Sequence, residues 1–333
     1  MRSRMYLALA AIAAMPATLS AQVNSSCASG PPATQDACQK AVDLFKYMAP
    51  QLGTVIAGGN ATLGQGGTLG GFALFPFPHP KFTIGLRMNA LYGSVPDVES
   101  NEATPFPGAA QSSMIPTKNQ VIPAPAMDVA IGLFKGLPLG LTNVGGVDLL
   151  LSAMYIPEFD KSNVSLQLPD GGLKIGYGAR VGLLQESLLM PGVSFTWLKR
   201  DLPKANLSGT TAAGGLEADL SVNNLEVNTT AWRAVASKSL VLFGIALGAG
   251  QDTYKSSANV VGRSGIANGN ASVEQTLKRT NYFADVSMNL MVLKIIAEVG
   301  MVQGGTVDTF NQWDGKQPDD KRMYGSVGAR FSF

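Results

Sequence analysis

From residue 51 onward, apolar and polar side chains alternate along the chain. Phe82, Ile84, Leu86, Met88, Ala90 and Tyr92 share one parity, while Thr83, Gly85, Arg87 and Asn89 share the other. The same pattern recurs in 173–183, 281–290 and 293–302. A period of two is that of a strand whose two faces meet different surroundings. These runs are about 10 to 13 residues long, beyond the five or six usual in soluble strands and near the reach of a membrane-crossing strand. Weaker runs lie at 127–136, 144–157, 192–200, 214–237 and 240–254. Within 214–237 the apolar parity changes twice, from Leu220 to Leu225 and then to Trp232, which implies bulges or a split into two strands.

The connections alternate in length. Long polar ones fall at 94–126, 158–172, 201–213, 255–277 and 304–320, and short ones at 76–80, 137–143, 184–191, 238–239 and near 291. Membrane barrels alternate in this way, with tight turns on one side and long loops on the other. The predicted fold is all-β: an antiparallel transmembrane β-barrel of about twelve strands, ten to fourteen being compatible. Strand 81–93 then runs outward and 68–75 inward. Residues 51–60 either supply a further strand or thread the lumen.

A different period precedes the strands. Ala37, Ala41, Val42, Phe45 and Met48 have helical spacing, with Thr34 placed to cap and Pro50 to stop the helix. Cys27 and Cys38, the only two cysteines, flank its start. An exported chain meets an oxidising compartment, so a disulfide between them is expected rather than a zinc site, which would need further ligands. Export is indicated by Arg2 and Arg4, the apolar run Met5–Ala14 and the small residues before Ala21. The expected organisation is a signal peptide at 1–21, a disulfide loop and amphipathic helix at 22–50, and a barrel at 51–333.

Composition agrees with a barrel. Charged residues are 14% of the chain, against about 25% in typical soluble domains. Glycine reaches 38 residues. The net charge of +2 gives no electrostatic case for nucleic acid. Beyond the signal region, no apolar stretch reaches the roughly 18 residues of a membrane helix.

At the end of the chain, Met323, Gly325, Val327, Ala329, Phe331 and Phe333 form one face, and Arg322, Tyr324, Ser326, Gly328, Arg330 and Ser332 the other. This apolar face ending in an aromatic resembles the closing strand of bacterial outer-membrane β-barrels. The resemblance implies that Phe331 and Phe333 carry the assembly signal. It also implies outer-membrane localisation, with membrane lipid and the barrel-assembly machinery as partners. The N-terminal segment ahead of the barrel is similar in architecture to that of the long-chain fatty-acid channels, whose N-terminus forms a hatch in the lumen.

The sequence offers little catalytic chemistry. His79, the single histidine, sits in a proline-ruled turn, and no phosphate-cradling motif occurs. No cofactor, metal or enzymatic activity is expected. Asp314, Asp319 and Asp320 are read as a solvated acidic loop rather than a cation site. The strand register instead points Lys81, Arg87, Asp128, Asp148, Lys174, Arg180, Arg233, Asp285, Lys294, Glu298, Arg322 and Arg330 into the lumen, because charges facing lipid are costly. These groups either line a pore or close it as a ladder of ion pairs. Leu91, Phe134, Leu150, Met154, Leu198 and Phe283 share the inward face. Inward glycines at 85, 132, 176, 178, 182, 300 and 328 suggest that another element occupies the lumen, or that the wall is strongly curved. The helix is then expected to plug or cap the periplasmic mouth. Two functional classes stay open: a channel or transporter for small or hydrophobic solutes, and a structural or adhesive barrel without flux.

The closing strand gives a first test. Replacing Phe333 with Asp is expected to lower the folded, heat-modifiable fraction in isolated outer membranes well below that of Ser332→Ala. Equal assembly of the two variants would remove the argument from the terminal aromatic.

Overall fold

The structure is a computed structural model that describes residues 21–73, 79–97, 109–161, 164–213 and 216–333. The expected signal peptide lies almost wholly outside the described residues. Two helices come first, α1 (Ser25–Ala28) and α2 (Pro32–Ala57). The main strands are β1 (Phe82–Pro96), β2 (Met114–Phe134), β3 (Gly146–Tyr155), β4 (Leu173–Leu184) and β5 (Gly192–Asp201). They continue with β6 (Leu216–Leu240), β7 (Phe243–Ser264), β8 (Ala267–Leu290), β9 (Leu293–Gln303) and β10 (Arg322–Ser332). Each pairs antiparallel with the next, and β10 pairs with β1 to close the ring. Among the described residues these ten strands make the closed wall. The shorter strands Phe159–Lys161, Val164–Gln167 and Ala205–Ala213 continue the sheet beside the outer half of β6. The expected antiparallel barrel is therefore present, with a strand number inside the expected range.

Two surfaces explain the alternation. The outward positions of β4, Ile175, Tyr177, Val181 and Leu183, are exposed, while the inward Gly176, Gly178, Arg180 and Gly182 are buried. The apolar outward band continues through Leu247 on β7, Val286 on β8, Val299 on β9 and Val327 on β10. Exposed apolar residues this numerous face lipid, not water. Tyr177, Trp197 and Trp232 form one aromatic cluster on this surface. Phe82 stacks on Phe333 at a centroid distance of 5.0 Å beside the short turns.

Strands β6, β7 and β8, of 25, 22 and 24 residues, far exceed the roughly 9–11 that cross a bilayer. Beyond the lipid band their hydrophobic face inverts. Leu220, Val222, Leu225, Val227, Val260 and Val273 point inward and are buried, whereas Asn259, Asn268, Asn270 and Ser272 point outward. This corrects two expectations. The second parity change in 214–237 is not a bulge but the level where apolar side chains move from the lipid face to the lumen face. The first change is a true bulge, between Asn223 and Glu226, with Asn224 at φ 51°. Residues 255–277 are not a loop but the paired ends of β7 and β8, joined at Gly265. Their water-facing side chains are polar and their inward ones small, so they read as a connection.

The N-terminal helix also differs from expectation. It begins at Pro32, where a missing N–H costs nothing, with Thr34 inside its first turn. It continues through Pro50 to Ala57, so the expected boundary at residue 50 falls inside it. An interior proline costs about 3 kcal/mol. Burial on nearly every side offsets this, since 41–45 and 47–57 are all buried. The helix is thus wrapped rather than amphipathic at a surface. Nor does it cap the periplasmic mouth: it starts at the long-loop end, where Thr34 lies by Gly269 and Cys38 by Gly262, and descends to Arg233. Residues 58–71 then thread the inner half of the lumen. Among the described residues of the expected inward strand at 68–75, only Phe72–Ala73 is paired, with His79–Pro80, and 74–75 lie outside the described residues.

The lipid face can be tested at β4. Val181→Arg, at a position 43% exposed, is expected to cost about 2–4 kcal/mol near the midplane and to abolish stable insertion, while Val181→Leu inserts normally. Folded fractions on unheated gels measure both. Gly182→Arg is not a tolerated control, because Thr68 of the thread lies 2.9 Å from where its Cβ would stand.

Candidate functional site

The thread from Gly58 to Gly71 has no strand partner within the lumen, and half of its fourteen residues are glycine. Its backbone donors and acceptors still need partners, since burying them unpaired is costly. The barrel wall supplies these with charged side chains. Guanidinium groups donate to carbonyls: Arg87 to Asn60 at 2.9 Å, Arg233 to Ala57 at 2.9 Å, and Arg330 to Leu63 at 2.5 Å. Carboxylates accept from backbone N–H groups: Glu298 from Asn60 at 2.7 Å, Asp285 from Gly64 at 2.8 Å, and Asp148 from Leu69 at 3.2 Å. Tyr324 Oη accepts from Gly59 N at 3.0 Å, and Ser237 Oγ from Gly66 N at 2.8 Å.

The wall charges also pair with each other. Asp128 bridges Arg87 at 2.8 Å and Arg200 at 2.9 Å, and Asp148 holds Arg180 at 2.6 Å. Arg233 is paired with Asp252. Asp285 and Glu298 are register partners on β8 and β9, so two carboxylates stand side by side against Asn60. Such groups are tolerated in a buried lumen because each has a partner of opposite charge or a backbone dipole.

Glycines make room for this arrangement. A Cβ at Gly182 would meet Thr68, one at Gly132 would meet Gly71 and Leu69, and one at Gly328 would meet Leu63. Higher up, Gly262 and Gly269 receive the helix at Cys38 and Thr34. Other inward glycines admit wall side chains instead: Gly300 lies under the Tyr324 ring, and Gly178 against Leu198.

At the outer end, the connection 304–321 lies over the helix. Asp43 on α2 accepts from the backbone N–H groups of Phe310 and Asn311 and from Asn311 Nδ2. Burial pushes its carboxyl above the usual range, against the opposing pull of those hydrogen bonds. Trp313 packs against Tyr47 with ring centroids 4.3 Å apart and the planes inclined by 39°, and Gln312–Asp314 pairs with the start of β2. Cys27 and Cys38 form the expected disulfide, with Cα atoms 5.5 Å apart. Both belong to the N-terminal segment, so the bond does not tie that segment to the wall.

The residues expected in the lumen fall at three levels. Arg87, Asp128, Asp148, Arg180, Asp285 and Glu298 surround the thread, with Arg330 below them. Lys294 is half-buried at the short-turn mouth. Arg322 is buried under the last loop, donating to the Gln317 carbonyl. Lys174 shares the inward register but is exposed at the rim, because β4 begins at Leu173. Phe134 does not face inward: a shift between Gly132 and Phe134 turns it outward, and it is 48% exposed. Arg233, also expected in the lumen, pairs with Asp252 and donates to the Ala57 carbonyl. Arg200 and Asp252 are additions to the expected set, Arg200 through its pairing with Asp128. Their inward register was legible, but their distance from the thread was not. His79 bonds the Pro80 carbonyl at 3.1 Å, Asp319 and Asp320 accept from backbone of their own loop, and no metal-binding cluster occurs among the described residues.

No protein-family model matches the chain, and no curated protein matches it. Among solved structures it is similar to the toluene transporter TodX of Pseudomonas putida, at 12% identity over 76% of this chain and 88% of that one, with a TM-score of 0.29. It is also similar to Ail, the attachment invasion locus protein of Yersinia pestis, at 9% identity over 77% and 99%, with a TM-score of 0.28. A third is the outer-membrane channel DcaP of Acinetobacter baumannii, at 11% identity over 77% and 96%, with a TM-score of 0.20. The structural neighbours are bacterial outer-membrane β-barrels.

The ion-pair layer yields a test of stability. Asp128→Ala leaves two buried guanidinium groups without their carboxylate and is expected to destabilise the folded barrel by about 3–5 kcal/mol. Lys204→Ala, which removes the exposed partner of Glu226, is expected to cost at most about 1 kcal/mol. Urea unfolding of the refolded variants in detergent measures the difference.

Proposed function

We propose that the protein is a gated outer-membrane channel or transporter for small solutes, with the N-terminal segment as its removable plug. The observation that carries this reading is how the thread is held. Wall side chains grip its glycine-rich backbone through polar contacts, and water or a solute can take over each of these. The plug's disulfide is internal, and its covalent link to the wall is the chain leading into β1. The helical half is buried more firmly, in an apolar core formed with β6, β7 and β8. Movement therefore begins in the thread, and complete opening requires the helix to leave as well.

The alternative is a structural or adhesive barrel without flux. What favours it is the outer extension of β6–β8, which projects a polar, strand-built surface beyond the lipid band. The two readings differ in conductance. Deleting residues 22–57 behind an intact signal region, and separately weakening the grip with Asp285→Asn and Glu298→Gln, should each raise single-channel conductance or open probability in planar bilayers. Unchanged conductance in both properly assembled variants would favour the non-conducting barrel.

A further inference from the structure

A recess of about 290 Å³ opens at the short-turn mouth, between the thread and the ends of β1, β9 and β10. Lys81, Lys294 and Arg330 line it. Among the described residues, neither lysine ammonium has a hydrogen-bond or ion-pair partner. Arg330 is 5% exposed; it spends Nη1 on the Leu63 carbonyl, and its Nε has no partner. The facing carboxylate is Glu186, and the Phe333 main chain lies beside the recess. Glu186 already accepts from Ser239 N and Ser237 Oγ, and Phe333 O accepts from Phe82 N. The rest of the lining includes Gln65, Thr68 and Ser332, which are polar and uncharged.

We propose that this recess is a binding site for an oxyanion, the phosphate or carboxylate group of a small molecule or of a lipid headgroup at the inner leaflet. Three cations converge on a half-enclosed space whose walls exclude part of the solvent, so attraction to an anion is screened less there than on an open surface. Unspent N–H donors on Arg330 and both lysines supply directional contacts of the charge-assisted kind. Arg330 also separates the recess from a void of about 10 Å³ bounded by Leu63, Arg87 and Asp128. An anion at its guanidinium therefore competes with the Leu63 carbonyl of the thread. The site exists with the plug in place, so it does not depend on flux through the barrel.

The test uses the full chain, refolded in a neutral detergent and checked by heat-modifiable migration. Titration calorimetry is run with inorganic phosphate and separately with short-chain phosphatidylglycerol, with phosphatidylcholine as the zwitterionic comparison. Saturable binding of phosphate or phosphatidylglycerol is expected. It should weaken about fivefold in Lys81→Gln and in Lys294→Gln, persist in Lys294→Arg and fall with added salt. Binding of phosphate assigns the site to free anions, and binding of phosphatidylglycerol alone assigns it to lipid headgroups. Absence of saturable binding to both by assembled protein, or binding indifferent to both glutamine substitutions, would overturn the proposal. Conductance of the same variants is read separately, so failure here leaves the channel reading standing on its own result.

Discussion

A polypeptide without strand partners cannot lie in a dry lumen unless every backbone N–H and carbonyl finds a partner. That constraint organises the inner half of this protein. The wall meets it at several of these groups, with guanidinium groups aimed at carbonyls and carboxylates aimed at N–H groups, at 2.5 to 3.2 Å along residues 57–69. Removing the thread would leave Arg87, Arg233, Arg330, Asp285 and Glu298 facing space that water must fill. Removing those charges would leave the thread's backbone unpaired. Each makes the other tolerable.

The outer half obeys a different rule. There β6, β7 and β8 have left the lipid, and the dry side of the sheet becomes its inner one. Leu220, Val222, Val260 and Val273 cover α2 as a soluble core would, and the exterior turns to asparagine and serine. One continuous strand thus serves two solvents, lipid below and water above, by exchanging which parity carries its apolar residues. Burial within this upper core is also what makes Pro50 acceptable inside a helix of 26 residues.

These two halves hold the N-terminal segment in different ways. The helix is held by apolar contacts, by Asp43 on the last loop and by Tyr47 against Trp313, while the thread is held by exchangeable polar contacts. The disulfide stiffens the plug's outer end and leaves it unlinked to the wall. The recess lies beyond the thread, at the mouth where Lys81 and Lys294 have no hydrogen-bond or ion-pair partner among the described residues.

Much of this was legible from the sequence. Alternation in Phe82–Tyr92, Leu173–Leu183 and Leu293–Val302 determined the strands, their lipid faces and the inward set of charges, because side-chain parity is a local property of an extended chain. The two cysteines determined their own bond, and the inward glycines left an occupied lumen or a strongly curved wall as the two readings, of which Gly132, Gly182 and Gly328 bear out the first. Tertiary structure decided the rest. Continuation of the helix through Pro50 depends on the core around it, which no local propensity contains. Residues 255–277 became strands because their small inward side chains meet α2, a partner more than 200 positions away. Phe134 turned outward at a shift in pairing with β3, which its own run of residues does not encode. Which charge grips which backbone group follows from ring closure, because only the closed wall brings Arg87, Arg233 and Glu298 around one strand of chain.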